Sequence, residues 1–484
     1  AERWQRLDDG RRYRLSLRPG LRFSDGSPLS VDDVLFSFDA AFDRSSVLGD
    51  ALTVGGTPVR AERVDALTVD VVFPRPYGPE LRVLDALPIL PKHRLQSAMD
   101  RGTFGEAWST TTPPSDIVGL GPFVLVEHQP GVKLVFDRNP HYFRTSTDGG
   151  RLPRLDRLVL QILPDQDAQL LSLQAAESDG SASEIRPADY PQMKRLADAG
   201  RVQLLRLGTS LNPDGLWVNL RADAFNGDSR KPWLQRDEVR QAISAGIDRA
   251  RFADVVFSGA ADPASSPVTS SNKDWSRPDA PPETFDAARA KALLASAGLV
   301  DRDGDGFVDD VGTRHARFTV LTQKGQTSLE RGAGEIREQM RLIGLELDVV
   351  LLDAPALIQR FLSGANYDAV YFNLTTTDTD PASQVDFWRR DGAAHVWNLG
   401  AGTSALPWER EIDALMDRQV TSLDVNERRR LFWAVQARFD EHRPIVYFAA
   451  PHVYVAVSTR LSGLAPALTR PQLLWSADTI DVAP

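Results

Sequence analysis

The stretch that decides the fold runs from residue 318 to residue 372. It reads FTVL at 318–321, SLERGAGEIREQMRLI at 328–343, LELDVVL at 345–351, APALIQRFLS at 354–363 and AVYF at 369–372. The short pieces have the length and β-branched content of strands. The longer ones repeat their apolar residues at helical spacing. Strand, helix, strand, helix, strand in this order predicts parallel pairing with right-handed crossovers. Open α/β sheets bind ligands outside the carboxyl ends of their strands. Here those ends fall at 322–325, 353–355 and 373–380, so a crevice is expected there.

Outward from this core the rhythm changes. Helical patterns fit 236–257, 284–297 and 424–442; Gly298 stands at the C′ position of the second and Pro444 ends the third. The Pro/Ser-rich piece 262–282 reads as an irregular surface loop. The first third is richer in β structure. Tyr13, Leu15 and Leu17 alternate with Arg12, Arg14 and Ser16, and Leu67, Val69, Val71 and Phe73 repeat the pattern. Ser30, with Asp33 three residues on, predicts a capped helix that carries Val31, Val34, Leu35, Phe38 and Phe42 on one face. A strand pair is predicted around Pro130-Gly131, a strand at 155–163 and a helix at 165–176.

The chain has 484 residues, of which 42% are hydrophobic, enough for a large core and more than one domain. Its formal net charge of -10 repels phosphate backbones, and no basic patch with interleaved aromatics offsets that, so nucleic acid is not an expected partner. Without cysteine there is no disulfide, thiolate metal site or Cys nucleophile. No apolar run approaches the 18 or so residues needed to cross a bilayer.

Asp301, Asp303 and Asp305 occupy positions one, three and five of a calcium-loop pattern, with Gly306 at six and Phe307 at seven. Position twelve is Gly312 where a bidentate Glu is expected, so Asp309 or Asp310 would have to substitute. An Asp/Gly-rich hairpin is the plainer reading, and a structural calcium is the one metal expectation. Ser270 and Lys273 match Ser-x-x-Lys, yet they sit in a loop and not at a helix start, which argues for coincidence. The seven His show no metal-ligand spacing, and no phosphate-binding Gly-x-x-x-x-Gly-Lys is present.

The stretch YRLSLRPGLRFSDGSPLSVDDVLFS at 13–37 resembles the signature of the peptide/nickel/opine-type solute-binding proteins, extracellular solute-binding family 5. Further matches follow in order: GLGPF at 119–123, RNPHY at 138–142, LWVNL at 216–220, EVRQAI at 238–243 with IDR at 247–249, DP at 380–381 and PIVY at 444–447. They cover nearly the whole chain.

The resemblance implies an α/β fold of two lobes about a hinge, a periplasmic binding protein or Venus-flytrap fold, with an extra β-rich domain. By analogy that domain spans 1–118 and belongs to lobe I. Lobe I itself takes 119–215 and 446–484, and lobe II takes 216–445. Family members usually carry some fifty residues before the position of Ala1. The opening strands of lobe I and a leader are therefore expected upstream.

The implied function is the solute-capturing subunit of an ABC importer. It would be a monomer, periplasmic or anchored outside the membrane, taking an oligopeptide or similar small polar solute and docking on permease transmembrane subunits. No cofactor is required. A sensor or regulator with the same fold is the alternative, and a hydrolase using Asp378 and Asp380 is a weaker one.

Dipeptide-binding relatives hold the ligand ammonium with an Asp four residues before the Pro of Asp-Pro. That position is Thr377 here, and Asp378 is one residue late. The relatives' carboxylate-binding Arg aligns with Gln323, beside Lys324; a nearby Tyr aligns with Gly325 and a ligand-packing Trp with Ala354. Both ends of the dipeptide clamp are thus replaced. Direct ligand contacts are expected from Gln323, Asn373, Thr377 and Asp378, with Trp217 and Trp397 as stacking candidates. Asn219 is expected to pin backbone near the hinge.

Overall fold

A computed structural model describes all residues of 1–484 except 47, 50, 226, 227, 229, 230, 281, 311–313, 364–366, 376, 377, 403, 404 and 484. In the first third, strands β1 (Arg3–Leu7), β2 (Arg12–Ser16), β3 (Thr53–Val54), β4 (Thr57–Pro58), β5 (Arg60–Arg63) and β6 (Thr68–Val72) follow one another. β1, β2, β6 and β5 form an antiparallel sheet in that order, and β3 pairs β4. Tyr13, Leu15, Val69 and Val71 point from this sheet into a common core with Val31, Val34 and Phe38 of the helix Val31–Ala41. The helix starts where the sequence predicts: the Asp33 carboxylate reaches back to accept the Ser30 backbone N–H at 2.8 Å and the Ser30 hydroxyl at 2.9 Å. Phe42 departs from the expected apolar face. It sits at the C-cap and is exposed.

A second, three-stranded antiparallel sheet joins β7 (Phe123–Gln129), β8 (Lys133–Arg138) and β9 (Arg157–Gln161). The helix Gln166–Gln174 follows it.

The central sheet has seven strands: β10 (Val202–Thr209), β11 (Asp214–Val218), β12 (Ala261–Pro263), β13 (Arg317–Gln323), β14 (Glu346–Leu352), β15 (Ala369–Phe372) and β16 (Ile445–Ser458). Their order is β10-β16-β11-β15-β13-β14, and β12 pairs with β16. β13 pairs parallel to both β14 and β15, as the strand–helix alternation requires. The remaining pairings are antiparallel, so the sheet is mixed.

β16 is shared. Residues 452–458 pair with β10, and residues 445–449 pair with β11. The expected lobe limits at 215/216 and 445/446 therefore fall inside strands. The chain crosses between the halves at 210–213 and again at 450–451, and Ser210 N–H donates to the Pro451 carbonyl at 2.7 Å where the crossings run side by side.

The largest core belongs to the half after Asp214. It joins the faces of β11, β13 and β15 to the helices Asp237–Ala245, Arg249–Phe257, Thr327–Leu342 and Val425–His442. The helical stretch predicted at 236–257 is broken at Gly246-Ile247, and Asp248 caps its second half by accepting from Arg251 N–H. Gly298 adopts φ +84 just past the helix Ala287–Ser296, a left-handed stop that glycine takes without strain. The described residues of 264–282 are irregular, as the composition predicts, but the piece is anchored in the core at three points. Thr269, Asn272 and Trp275 are buried, and the Trp275 ring meets Phe432 edge-on.

Residues 1–118 touch both halves. Ser24 N–H donates to the Gly119 carbonyl at 2.9 Å on one side. On the other, Ala382 and Val420 complete the core of the β-rich unit, and Gly78 N–H donates to the Val420 carbonyl at 2.7 Å. A Cβ at Gly78 would lie 2.0 Å from the Ser422 carbonyl oxygen, so this contact requires glycine.

Candidate functional site

At the carboxyl ends of the parallel strands, where the sequence predicts a crevice, stand the ends of β13 and β15 and the segment that follows β15. Gln323 closes β13, half-buried. Asn373 follows β15 and donates from Nδ2 to Asp214 Oδ1 at 3.0 Å. The other Asp214 oxygen accepts from the Tyr371 hydroxyl at 2.6 Å. Burial pushes the Asp214 carboxyl above its ordinary range, and these two donors offset only part of that cost. The Asn373 amide thus fastens the strand end to the first residue of β11, beside the crossing segment, and is not simply a solute contact.

Asp378 is the charged group of this segment. Its Oδ1 accepts from Arg82 at 2.7 Å and from the backbone N–H groups of Thr379 and Asp380 at 2.6 and 3.2 Å. Arg82 lies in the turn 80–86 of the β-rich unit, so this ion pair joins that unit to the strand-end segment. Sequence reasoning missed Arg82, because nothing local marks an arginine 296 positions from its partner. Thr377 lies outside the described residues.

Asp380 is not half of an open carboxylate pair. It is sealed from solvent and clamped by Arg428 at 3.0 and 2.6 Å, and its Oδ1 also accepts the Ala382 N–H. The hydrolase reading had needed both carboxylates free.

Trp217 and Trp397 are corrections. Their exposures are 2% and 1%, and their rings lie 6.0 Å apart within one aromatic cluster with Phe387. Trp217 Nε1 donates to the Phe372 carbonyl, and Trp397 Nε1 donates to Glu409. Both are core residues with their polar atoms satisfied, so neither offers a face for stacking on solute. Glu409 accounts for the second. This fully buried carboxylate also accepts from Asn398 Nδ2 and the Leu406 N–H and meets His395 Nε2 at 3.1 Å. Asn219 pins backbone: Nδ2 donates to the Tyr367 carbonyl at 2.9 Å, and Oδ1 accepts the Arg221 N–H.

Asp301, Asp303 and Asp305 do converge, with ligand oxygens within 4.8 Å of one another. All three are exposed. Asp301 accepts the N–H groups of Gly304 and Gly306, Asp305 accepts that of Phe307, and the second Asp305 oxygen meets His315 Nε2 at 2.6 Å. Glu346, and then Asp305, hold the His315 imidazole above its ordinary pKa. Asp309 is buried, accepting the Arg302 N–H at 2.9 Å, and Gly312 lies outside the described residues. Among the described residues these three exposed carboxylates are the only such cluster, and by themselves they do not make a metal site.

Two cavities flank the parallel strands. One, of about 640 Å³, opens at their amino ends. Within its lining Arg317 pairs with Asp348, and His315 Nδ1 meets Glu346 at 3.1 Å. The other, of about 20 Å³, lies on the crevice side between Leu211 of the crossing segment, Thr269, Asn272 and Asp378.

The profile of the bacterial extracellular solute-binding proteins, family 5 Middle, matches residues 1–395. A probable ABC transporter-binding protein of Deinococcus radiodurans is 26% identical over 98% of this chain and 82% of its own length. The oligopeptide-binding protein AppA of Bacillus subtilis is 26% identical over 96% of this chain and 80% of its own. Among solved structures, the ABC transporter substrate-binding protein CtaP of Listeria monocytogenes superposes with a TM-score of 0.81. It shares 23% identity and covers 100% of this chain and 90% of its own.

Proposed function

The chain belongs to the family 5 bacterial extracellular solute-binding proteins, and from that premise we propose that it captures an oligopeptide or similar small polar solute between its lobes. It is a solute-binding protein of the ABC-importer type, and its relatives work outside the cytoplasmic membrane. In the proposed reading the chain acts as a monomer and passes its solute to a permease in the membrane.

One observation supports this above the others. Two crossing segments, 210–213 and 450–451, connect the halves side by side. A pair of short parallel links permits bending about one axis and resists other motions. Solute that bridges the halves favours the closed arrangement, because only there does it touch both.

The test is solution scattering and thermal denaturation against a panel of oligopeptides and oligosaccharides. A true solute shrinks the radius of gyration and raises Tm by mass action. A panel in which no member does either, or in which a member is converted to product, would sink the reading.

A further inference from the structure

We infer that the crevice receives a neutral hydrogen-bond-donating group of the solute, a hydroxyl or an amide N–H, in the small pocket formed by Thr269, Asn272 and Asp378. This rests on the solute-binding reading above and narrows it to a class of solute.

The first observation is two orphaned polar atoms. Thr269 and Asn272 are more than nine-tenths buried and line the pocket, and neither Thr269 Oγ1 nor Asn272 Oδ1 has a hydrogen-bond partner. Buried acceptors are seldom left unsatisfied, because each such loss costs the full desolvation of the group. The Asn272 amide cannot simply be turned round. Its Nδ2 donates to the Thr379 carbonyl at 2.9 Å, and a carbonyl only accepts. A flip would set oxygen against oxygen. The pocket therefore presents one obligate acceptor and one hydroxyl, and it calls for a donor. At about 20 Å³ it admits one water-sized group, the tip of a hydroxyl or an amide nitrogen.

The second observation concerns charge. Asp378 would attract an ammonium were it free. Arg82 occupies it at 2.7 Å, and two backbone N–H groups share the same oxygen. Carboxylate and guanidinium cancel. An ammonium entering here would face Arg82 and would lose its water against Leu211, Pro267 and Phe432 without a free counter-charge. A hydroxyl or amide carries no such penalty.

The experiment compares three probes by titration calorimetry. The first is trialanine with free ends; the second is the same peptide with acetyl and amide ends; the third is raffinose. The second replaces both terminal charges of the first by neutral amides, and the third separates hydroxyl from amide donors. The blocked peptide or raffinose is expected to bind at least tenfold more tightly than free trialanine. Thr269→Val removes the hydroxyl at constant shape and should weaken the preferred probe by roughly tenfold. Arg82→Gln, at an exposed site that folding tolerates, should uncover Asp378 and tighten free trialanine relative to the blocked form. Free trialanine binding as tightly as the other two overturns the inference and leaves solute capture standing. Thr269→Val binding like the parent also overturns it. Binding of none of the three overturns it too, and the scattering panel then decides the broader reading separately.

Discussion

Arg428 closes on Asp380 in a two-pronged ion pair, with both side chains almost sealed from solvent. The same guanidinium donates to the Gln419 carbonyl at 3.2 Å and the Gly78 carbonyl at 3.4 Å, and it lies over the Trp275 ring at 4.9 Å. One side chain thus ties together the β-rich unit, the segment after β15, the buried 262–282 piece and a helix. Removing one member of a buried pair leaves the other charge uncompensated. Arg428→Ala should lower unfolding stability by about 3–5 kcal/mol in urea titrations. The double variant Arg428→Met with Asp380→Leu should recover part of the loss. Equal stability of parent and single variant would contradict this.

Glu409 gathers donors from Trp397, Asn398 and the Leu406 backbone in a site without water access. Glu409→Gln keeps the volume but turns one acceptor oxygen into a donor group facing other donors. A loss of roughly 2–4 kcal/mol is expected, together with a change in tryptophan emission, since Trp397 loses its partner. Emission and stability like those of the parent would show that the carboxylate is dispensable.

Asp440 predicts a pH dependence. Burial raises its carboxyl to about 6, against a weaker pull from Arg277 at 3.3 Å. An acid with a raised folded pKa binds more protons folded than unfolded, so stability falls as pH rises through this window. The contribution is fully present below about pH 4, the unfolded value, and is lost above about pH 6. Asp440→Asn should flatten the Tm profile between those limits. A profile with an unchanged slope there would rule Asp440 out as its source.

Asp214 behaves in the same direction, because burial raises its carboxyl too. Tyr371→Phe removes the hydroxyl that donates to it. The variant should be less stable than the parent by about 1–3 kcal/mol, with the gap narrowing as pH falls and the carboxyl takes up its proton. Stability equal to that of the parent across the pH range would show that the hydroxyl contributes nothing.

The α/β alternation was legible because apolar periodicity reports local structure, and β13, β14 and β15 appear where their patterns lie. The Ser30–Asp33 cap was legible for the same reason. The partners of Asp378 were not. Arg82 meets it only through the docking of two units, and no local pattern encodes that. Trp217 and Trp397 misled because an indole suits a core as well as a sugar face, and burial decides between them. Composition predicted the irregular course of 262–282 but not its anchoring, since proline and serine suggest a loop whether or not Trp275 is buried. Topology led to the strand ends, but the orphaned atoms of Thr269 and Asn272 depend on side-chain orientation, which spacing does not carry.

Because β16 lies between β10 and β11, which precede it by more than two hundred residues, neither half of the central sheet can be completed until β16 itself has been made. The emerging chain must hold most of its apolar strands without their middle neighbour. High contact order of this kind slows folding and lengthens exposure to aggregation. A ribosome paused before Ile445 is added should therefore present a chaperone client and not a half-built trap.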